Sequence, residues 1–151
     1  MNMQHIFNSL GRQKQPLETI EPGKVRMYVC GPTVYDFFHI GNARTFTAFD
    51  MVYRWLTTTG YEVNFVRNIT DIDDKIIDRA RANQETLEAL TTRMTVAYFE
   101  DSARLKLQHP THSPRATHHI NHMLEFIQRL ESNGKAYRAG NGDVYYAVRA
   151  F

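Results

Sequence analysis

The chain has 151 residues, of which 42% are hydrophobic, 23% charged and 12% aromatic, and its formal net charge is +2. This is the composition of an ordinary globular chain with enough apolar residues for a sizeable core, in one domain or one domain with an appended piece. The charge is too small to argue for nucleic acid by itself, and a single cysteine, Cys30, excludes an internal disulfide framework.

No apolar run approaches the roughly 20 residues of a membrane span. The polar start, Met1 to Gln15, has no signal-peptide apolar region. These features point to a soluble protein of the reducing cytoplasm, with no membrane partner.

Pro22-Gly23 marks a turn, and Val25–Cys30 is predicted as a strand closed by Gly31-Pro32. A helix follows from about Asn42 to Thr58, with Phe46, Phe49, Val52, Tyr53 and Leu56 at helical spacing and Gly60 as its stop. Tyr61–Asn68 reads as a second strand, with Val63, Phe65 and Val66. Thr70 or Asp71 can cap the next helix, from about Ile72 to Ala82. This strand–helix–strand–helix order predicts an α/β fold in which two parallel strands lie side by side through a right-handed crossover.

The second half is mostly helical. Glu85–Leu107 reads as a long amphipathic helix with Leu87, Leu90, Met94, Ala97, Tyr98 and Leu105 on one face. A loop from Gln108 to Pro114 precedes a helix from about Ala116 to Ser132, carrying Ile120, Met123, Leu124, Ile127 and Leu130 and stopped by Gly134. Tyr137, the turn Gly140-Asn141-Gly142 and the alternation Val144, Tyr146, Val148 predict a hairpin. The partition expected is 1–110, one half of a nucleotide-binding domain, and 111–151, the start of a connecting or inserted piece. Two parallel strands are too small a sheet to bury their own edges. A partner, a second copy or further chain is expected to cover them, and the chain alone is expected to self-associate there.

The chemistry concentrates in Tyr28-Val29-Cys30-Gly31-Pro32-Thr33-Val34-Tyr35-Asp36 and His39-Ile40-Gly41-Asn42-Ala43-Arg44, where the first strand hands over to the first helix. An open parallel sheet binds nucleotides at such a place. Gly41 lets an adenosine approach the backbone, and the helix start offers amide groups to phosphates. His39 can donate to an oxygen that gains charge in a transition state. The bland alternative is an ordinary strand-to-helix turn with a surface histidine.

The stretch Met27 to Arg44 resembles the cysteinyl-tRNA synthetases. The same holds for Gly60-Tyr61, for Asn68-Ile69-Thr70-Asp71-Ile72-Asp73-Asp74-Lys75-Ile76-Ile77, for Pro114-Arg115-Ala116-Thr117-His118-His119-Ile120 and for Asn141-Gly142-Asp143-Val144. The likeness covers nearly the whole chain in the right order. It implies the first half of a Rossmann-like, parallel-sheet class I synthetase catalytic domain, followed by a mostly helical connecting segment with a β-hairpin.

By that resemblance His39-Ile40-Gly41-Asn42 stands for the class I signature His-Ile-Gly-His, with Asn in the last place. Asn still donates through its amide but carries no proton. The resemblance makes His39 and Asn42 catalytic phosphate contacts, with Gly41 beside them on ATP. It puts Gly31 and Thr70 in the pocket for the substrate cysteine and makes Cys30 a zinc ligand. Zinc prefers sulfur over a serine hydroxyl, which would give discrimination that shape alone cannot. A cysteine at a strand end is otherwise a small buried hydrophobe. The family's other zinc ligands lie further along than this chain extends, so the isolated chain is expected to hold no tight zinc.

The intact enzyme would use ATP with magnesium, cysteine and tRNA(Cys). The family's second signature, Lys-Met-Ser-Lys-Ser, does not occur in the sequence, and the chain is expected to be a fragment inactive alone. Two alternatives stand beside this: a related ligase that passes activated cysteine to an amino-sugar, and a non-catalytic module that binds a nucleotide or a partner chain.

Other clusters carry less. Asp71, Asp73 and Asp74 do not form a calcium loop, because Ile76 falls where such a loop needs glycine; they suit a helix start. His118, His119 and His122 read as a polar helix face or local packing, and no Glu follows the first as in a zinc protease. Arg104, Lys106, Arg115, Arg129, Lys135 and Arg138 form a solvated face by default, though some are expected to meet tRNA phosphates.

Overall fold

The computed structural model describes residues 4–151, which pack as two units, one running to Arg115 and one from Ala116 to Phe151. The first unit opens with a hairpin that the sequence reading did not anticipate: β1 (His5–Asn8) runs antiparallel to β2 (Gln13–Pro16). Asn8 holds it, donating from Nδ2 to Gln15 Oε1 at 2.8 Å and accepting from Leu10 N at 2.9 Å.

The expected crossover follows. β3 (Lys24–Val29) and β4 (Glu62–Arg67) are parallel, with Lys24 opposite Glu62 and Val29 opposite Arg67, and α1 (Ile40–Thr58) joins them. Along β3, exposed Lys24, Arg26 and Tyr28 alternate with inward Val25, Met27 and Val29, the period of a half-buried strand. α1 begins two residues before the expected start because His39 caps it. Its buried positions are Ala43, Phe46, Asp50 and Leu56, whereas Phe49 and Val52 stay 40% and 37% exposed. Gly60, with φ 95°, takes the turn that stops the helix.

The cap of α2 (Asp74–Asn83) is Asp73, whose Oδ1 accepts from Lys75 N at 2.9 Å, and not Thr70 or Asp71. The reason is that Thr70 still belongs to the sheet, where it pairs with Thr33. A helix cannot start until the chain leaves that pairing. α3 (Leu87–Arg104) is capped by Thr86, whose Oγ1 accepts from Ala89 N at 3.1 Å. Leu90 and Met94 of α3 close on Ile76 and Ala80 of α2 and on Val34 and Ile69, forming one apolar core; Phe46, Tyr98 and Leu107 form a second. Leu87 and Leu105, expected on the buried face, lie at the helix ends and are each 45% exposed. Thr91 and Thr95 are buried instead, and each hydroxyl donates back to a carbonyl one turn earlier.

The segment expected as a loop after α3 lies along the outer edge of β4. Arg67 N donates to His112 O at 3.1 Å, His112 N to Phe65 O at 3.2 Å and Ile69 N to Pro114 O at 2.8 Å. Two isolated parallel bridges result, Val66 with His112 and Ile69 with Arg115. One sheet edge is thus partly covered from within the chain, while β3 pairs with no strand but β4 among the described residues.

In the second unit the helix expected from Ala116 opens as a 3-10 turn, Ala116–His119, before α4 (Ile120–Ser132). The expected hairpin is β5 (Ala136–Arg138) with β6 (Val144–Tyr146), and Val148 falls beyond it in a closing 3-10 turn. No described residue of this unit is buried. No described helix is long and apolar enough to cross a membrane.

Candidate functional site

The pairing of β3 with β4 does not stop at the strand ends. It breaks after Val29–Arg67 and resumes at Thr33–Thr70, so four steps along one chain match three along the other. The extra residue is a bulge. Gly31 N donates across it to Asn68 Oδ1 at 2.9 Å, and beyond it Thr70 N donates to Pro32 O at 3.0 Å and Val34 N to Thr70 O at 3.1 Å. A Cβ on Gly31 would lie 1.7 Å from Asn68 O, so only glycine fits. Cys30 is exposed, continuing the alternation of Lys24, Arg26 and Tyr28, which corrects its reading as a small buried hydrophobe.

Past the bulge the chain folds around a cavity of about 200 Å³. Its walls include Gly31, Tyr35, Asp36, His39, Asn42, Lys75 and Tyr98. His39 stands at the amino end of α1. Its Nδ1 accepts from Gly41 N at 3.0 Å, so the ring's proton sits on Nε2, available as a donor. His39 N in turn donates to Asn42 Oδ1 at 3.3 Å, which leaves the Asn42 amide hydrogens for a ligand. A Cβ on Gly41 would fall 2.8 Å from His39 Cε1, so glycine here makes room for the imidazole.

Of the residues singled out in the sequence, the cavity brings together Gly31, His39 and Asn42. Gly41 sits behind His39. Cys30 is outside the wall, one residue from Gly31. Thr70 is also outside, its hydroxyl accepting from Asn68 Nδ2 at 3.1 Å. Sequence reading missed Lys75, Met94 and Tyr98, which come from α2 and α3. Asp36, the last residue of the stretch singled out before α1, is in the wall as well, and its carboxylate accepts from Arg79 Nη2 at 2.7 Å and Phe37 N at 2.9 Å.

Among the described residues, no group of three or more His, Cys, Asp or Glu could hold a metal ion. Zinc wants about four ligands. Cys30 offers one sulfur, so these residues do not make up a zinc site. The rings of His119 and His122 lie 5.5 Å apart on an exposed face.

The family of class I (C) tRNA synthetase catalytic domains matches residues 16–151. This chain belongs to that family. Among relatives of the class I synthetase chain, a cysteine–tRNA ligase of Janthinobacterium sp. (strain Marseille) is 58% identical over 151 residues, covering 100% of this chain and 32% of the relative. Cysteine–tRNA ligases of Dechloromonas aromatica (strain RCB) and Chromobacterium violaceum are each 57% identical over 149 residues, covering 99% of this chain and 33% of the relative. The synthetase chain thus spans about a third of the length of the curated relatives it matches.

Proposed function

We propose that this chain forms the amino-terminal, nucleotide-facing part of a cysteine–tRNA ligase. In this reading β3, α1 and β4 begin a Rossmann-like parallel sheet, and the residues from about 111 onward begin a connecting piece. The intact enzyme works in the cytoplasm in two steps. A carboxylate oxygen of cysteine attacks the α-phosphorus of ATP, brought in with magnesium; the bond to the bridging oxygen breaks, and pyrophosphate leaves with cysteinyl-adenylate formed. A ribose hydroxyl at the end of tRNA(Cys) then attacks the cysteinyl carbonyl and releases AMP.

The observation that carries this reading is the cavity beyond the carboxyl ends of the parallel pair, where His39 Nε2 and the Asn42 amide are both left as donors. Such donors are suited to phosphate oxygens that gain charge during transfer. Identity of 56–58% to named cysteine–tRNA ligases over the whole chain supports the choice of amino acid. The isolated chain is proposed to be inactive, and to associate with itself through the open edge of β3.

The test is cysteine-dependent exchange of labelled pyrophosphate into ATP by the natural gene product, followed by charging of tRNA(Cys). Exchange and charging are expected. Exchange followed by amide formation on an amino-sugar would replace this reading with the related ligase. Nucleotide binding with no exchange would replace it with a binding module. Exchange by the 151-residue chain at an ordinary enzyme rate would overturn the inactivity of the isolated chain.

A further inference from the structure

We propose that Lys75 is the anion-recognition residue of the cavity, receiving an oxygen of a nucleotide phosphate or of an amino-acid carboxylate. The proposal rests on the reading of this cavity as the substrate site. Among the described residues, Lys75 is the only Lys or Arg in the cavity wall, and Asp36 is the only carboxylate. The charge of Asp36 is already met by Arg79 at 2.7 Å. The positive charge of Lys75 therefore has no counter-charge within the wall.

Nor is one supplied from around it. Lys75 makes no ion pair among the described residues, although acids crowd its helix. Asp73 is engaged as the helix cap, Asp74 lies beside Lys75 in the first turn but makes no ion pair with it, Asp78 faces Arg81 at 3.6 Å, and Asp71 faces Arg115 at 3.7 Å. Lys75 instead stands 5.7 Å from the centroid of the Tyr35 ring, which keeps the ammonium on the cavity wall. Helix stability does not explain it there, because a cation in the first turn of α2 opposes the helix dipole. An ammonium on a flexible stem acts as a point-charge binder of phosphate or carboxylate. A cavity of about 200 Å³ has room for such a group beside the ammonium.

The test is lysine acetylation of the natural gene product, read by mass spectrometry at Lys75, with Lys14, Lys24, Lys106 and Lys135 as internal controls. Probes are pyrophosphate, ATP, adenosine, cysteine and cysteamine. Saturating anion is expected to slow acetylation of Lys75 by about tenfold or more and leave the controls unchanged. Protection by ATP and pyrophosphate but not adenosine assigns a phosphate; protection by cysteine but not cysteamine assigns the carboxylate. Unchanged labelling under both ATP and cysteine overturns the proposal.

Lys75 is exposed, so Lys75→Gln is expected to fold, checked by circular dichroism. It should weaken the protecting anion about 10- to 100-fold and leave adenosine alone. Pyrophosphate exchange by Lys75→Gln with wild-type KM values for ATP and cysteine would overturn the role of Lys75 and leave the ligase reading standing. Protection of Lys75 in a protein with no exchange would do the reverse.

Discussion

Gly31 and Asn68 meet across the bulge at the head of the sheet. The Gly31 amide donates to the Asn68 side chain at 2.9 Å, and the position of its missing Cβ lies 1.7 Å from the Asn68 backbone oxygen. That oxygen is backbone and cannot swing aside. Gly31→Ala must therefore break the register beyond Val29, and a loss of about 3 kcal/mol or more is expected in urea unfolding. Asn68→Ala removes the acceptor for Gly31 N and the donor to Thr70 Oγ1 and should cost about 1–2 kcal/mol, with Asn68→Asp, which keeps the acceptor, costing less. A Gly31→Ala protein with the wild-type midpoint would refute this geometry.

Arg67 is 2% exposed, yet it carries a charge. Its guanidinium lies 4.5 Å from the Phe46 ring centroid and 5.0 Å from that of Phe65, and Nη1 donates to the Tyr98 hydroxyl at 3.4 Å. Nε and Nη2 meet no hydrogen-bond partner among the described residues. Burying a charge with two unmet donors costs more than ring contacts of about 1–2 kcal/mol return. Arg67→Met, which keeps the volume, should leave the protein equally stable or more stable by about 1–3 kcal/mol. Arg67→Ala should lose about 3 kcal/mol to the cavity it opens. Denaturation of the two variants beside the wild type separates charge from volume, and a Met variant less stable than the wild type would show the guanidinium to be stabilising.

The strands and helices with a clear period were legible in the sequence. Val25–Val29, Phe65, Phe46 and Leu90 read correctly because each sits on a face that alternates or recurs. The hairpin of β1 and β2 did not, since its strands have four residues each and only Ile6 and Phe7 are large and apolar. The cap of α2 was misjudged because Thr70, Asp71 and Asp73 are all able caps, and only the pairing of Thr70 with Thr33 decides among them. In the site, His39, Asn42 and Gly31 could be found because they lie in one short stretch. Lys75 and Tyr98 stood in a recognised motif and on an apolar helix face, but their place in the wall was not legible, because only the fold brings α2 and α3 against that stretch.

Asp50 links α1 to the end of α3. Its carboxylate is buried and accepts from Arg54 Nε at 2.6 Å and Gln108 N at 2.7 Å, while Arg54 Nη2 donates to Lys106 O at 2.6 Å. Lys106 takes φ 57°, a left-handed conformation that these contacts help to hold. Asp50→Ala removes a buried carboxylate that accepts from both Arg54 Nε and Gln108 N and should cost about 2–3 kcal/mol. Arg54 is half-exposed, so Arg54→Ala should cost about 1 kcal/mol or less. The double variant should fall short of the sum by about 0.5–1 kcal/mol, since both belong to one network. Strict additivity in urea unfolding would mean that the two groups act independently.

Two surface carboxylates set an acid-side dependence. Hydrogen bonds from Lys24 and then Arg26 hold Glu21 below the ordinary value of 4.5, and those from Asn83 and then Arg93 do the same for Glu85. A lowered folded-state pKa means that the charged form is favoured by folding. The stabilisation is therefore complete above about pH 4.5, the unfolded value, and is lost as pH falls through the lowered value. Carboxyl titration by NMR should give both residues midpoints under 4.5. Asn83→Ala and Arg93→Ala should each move Glu85 back toward 4.5, because each removes a hydrogen bond to the ionised carboxylate. Added salt should weaken the Arg93 contribution more than that of Asn83, since only the charge pair is screened. A Glu85 midpoint that stays put in Asn83→Ala would show that the amide hydrogen bond does not help to hold Glu85 ionised.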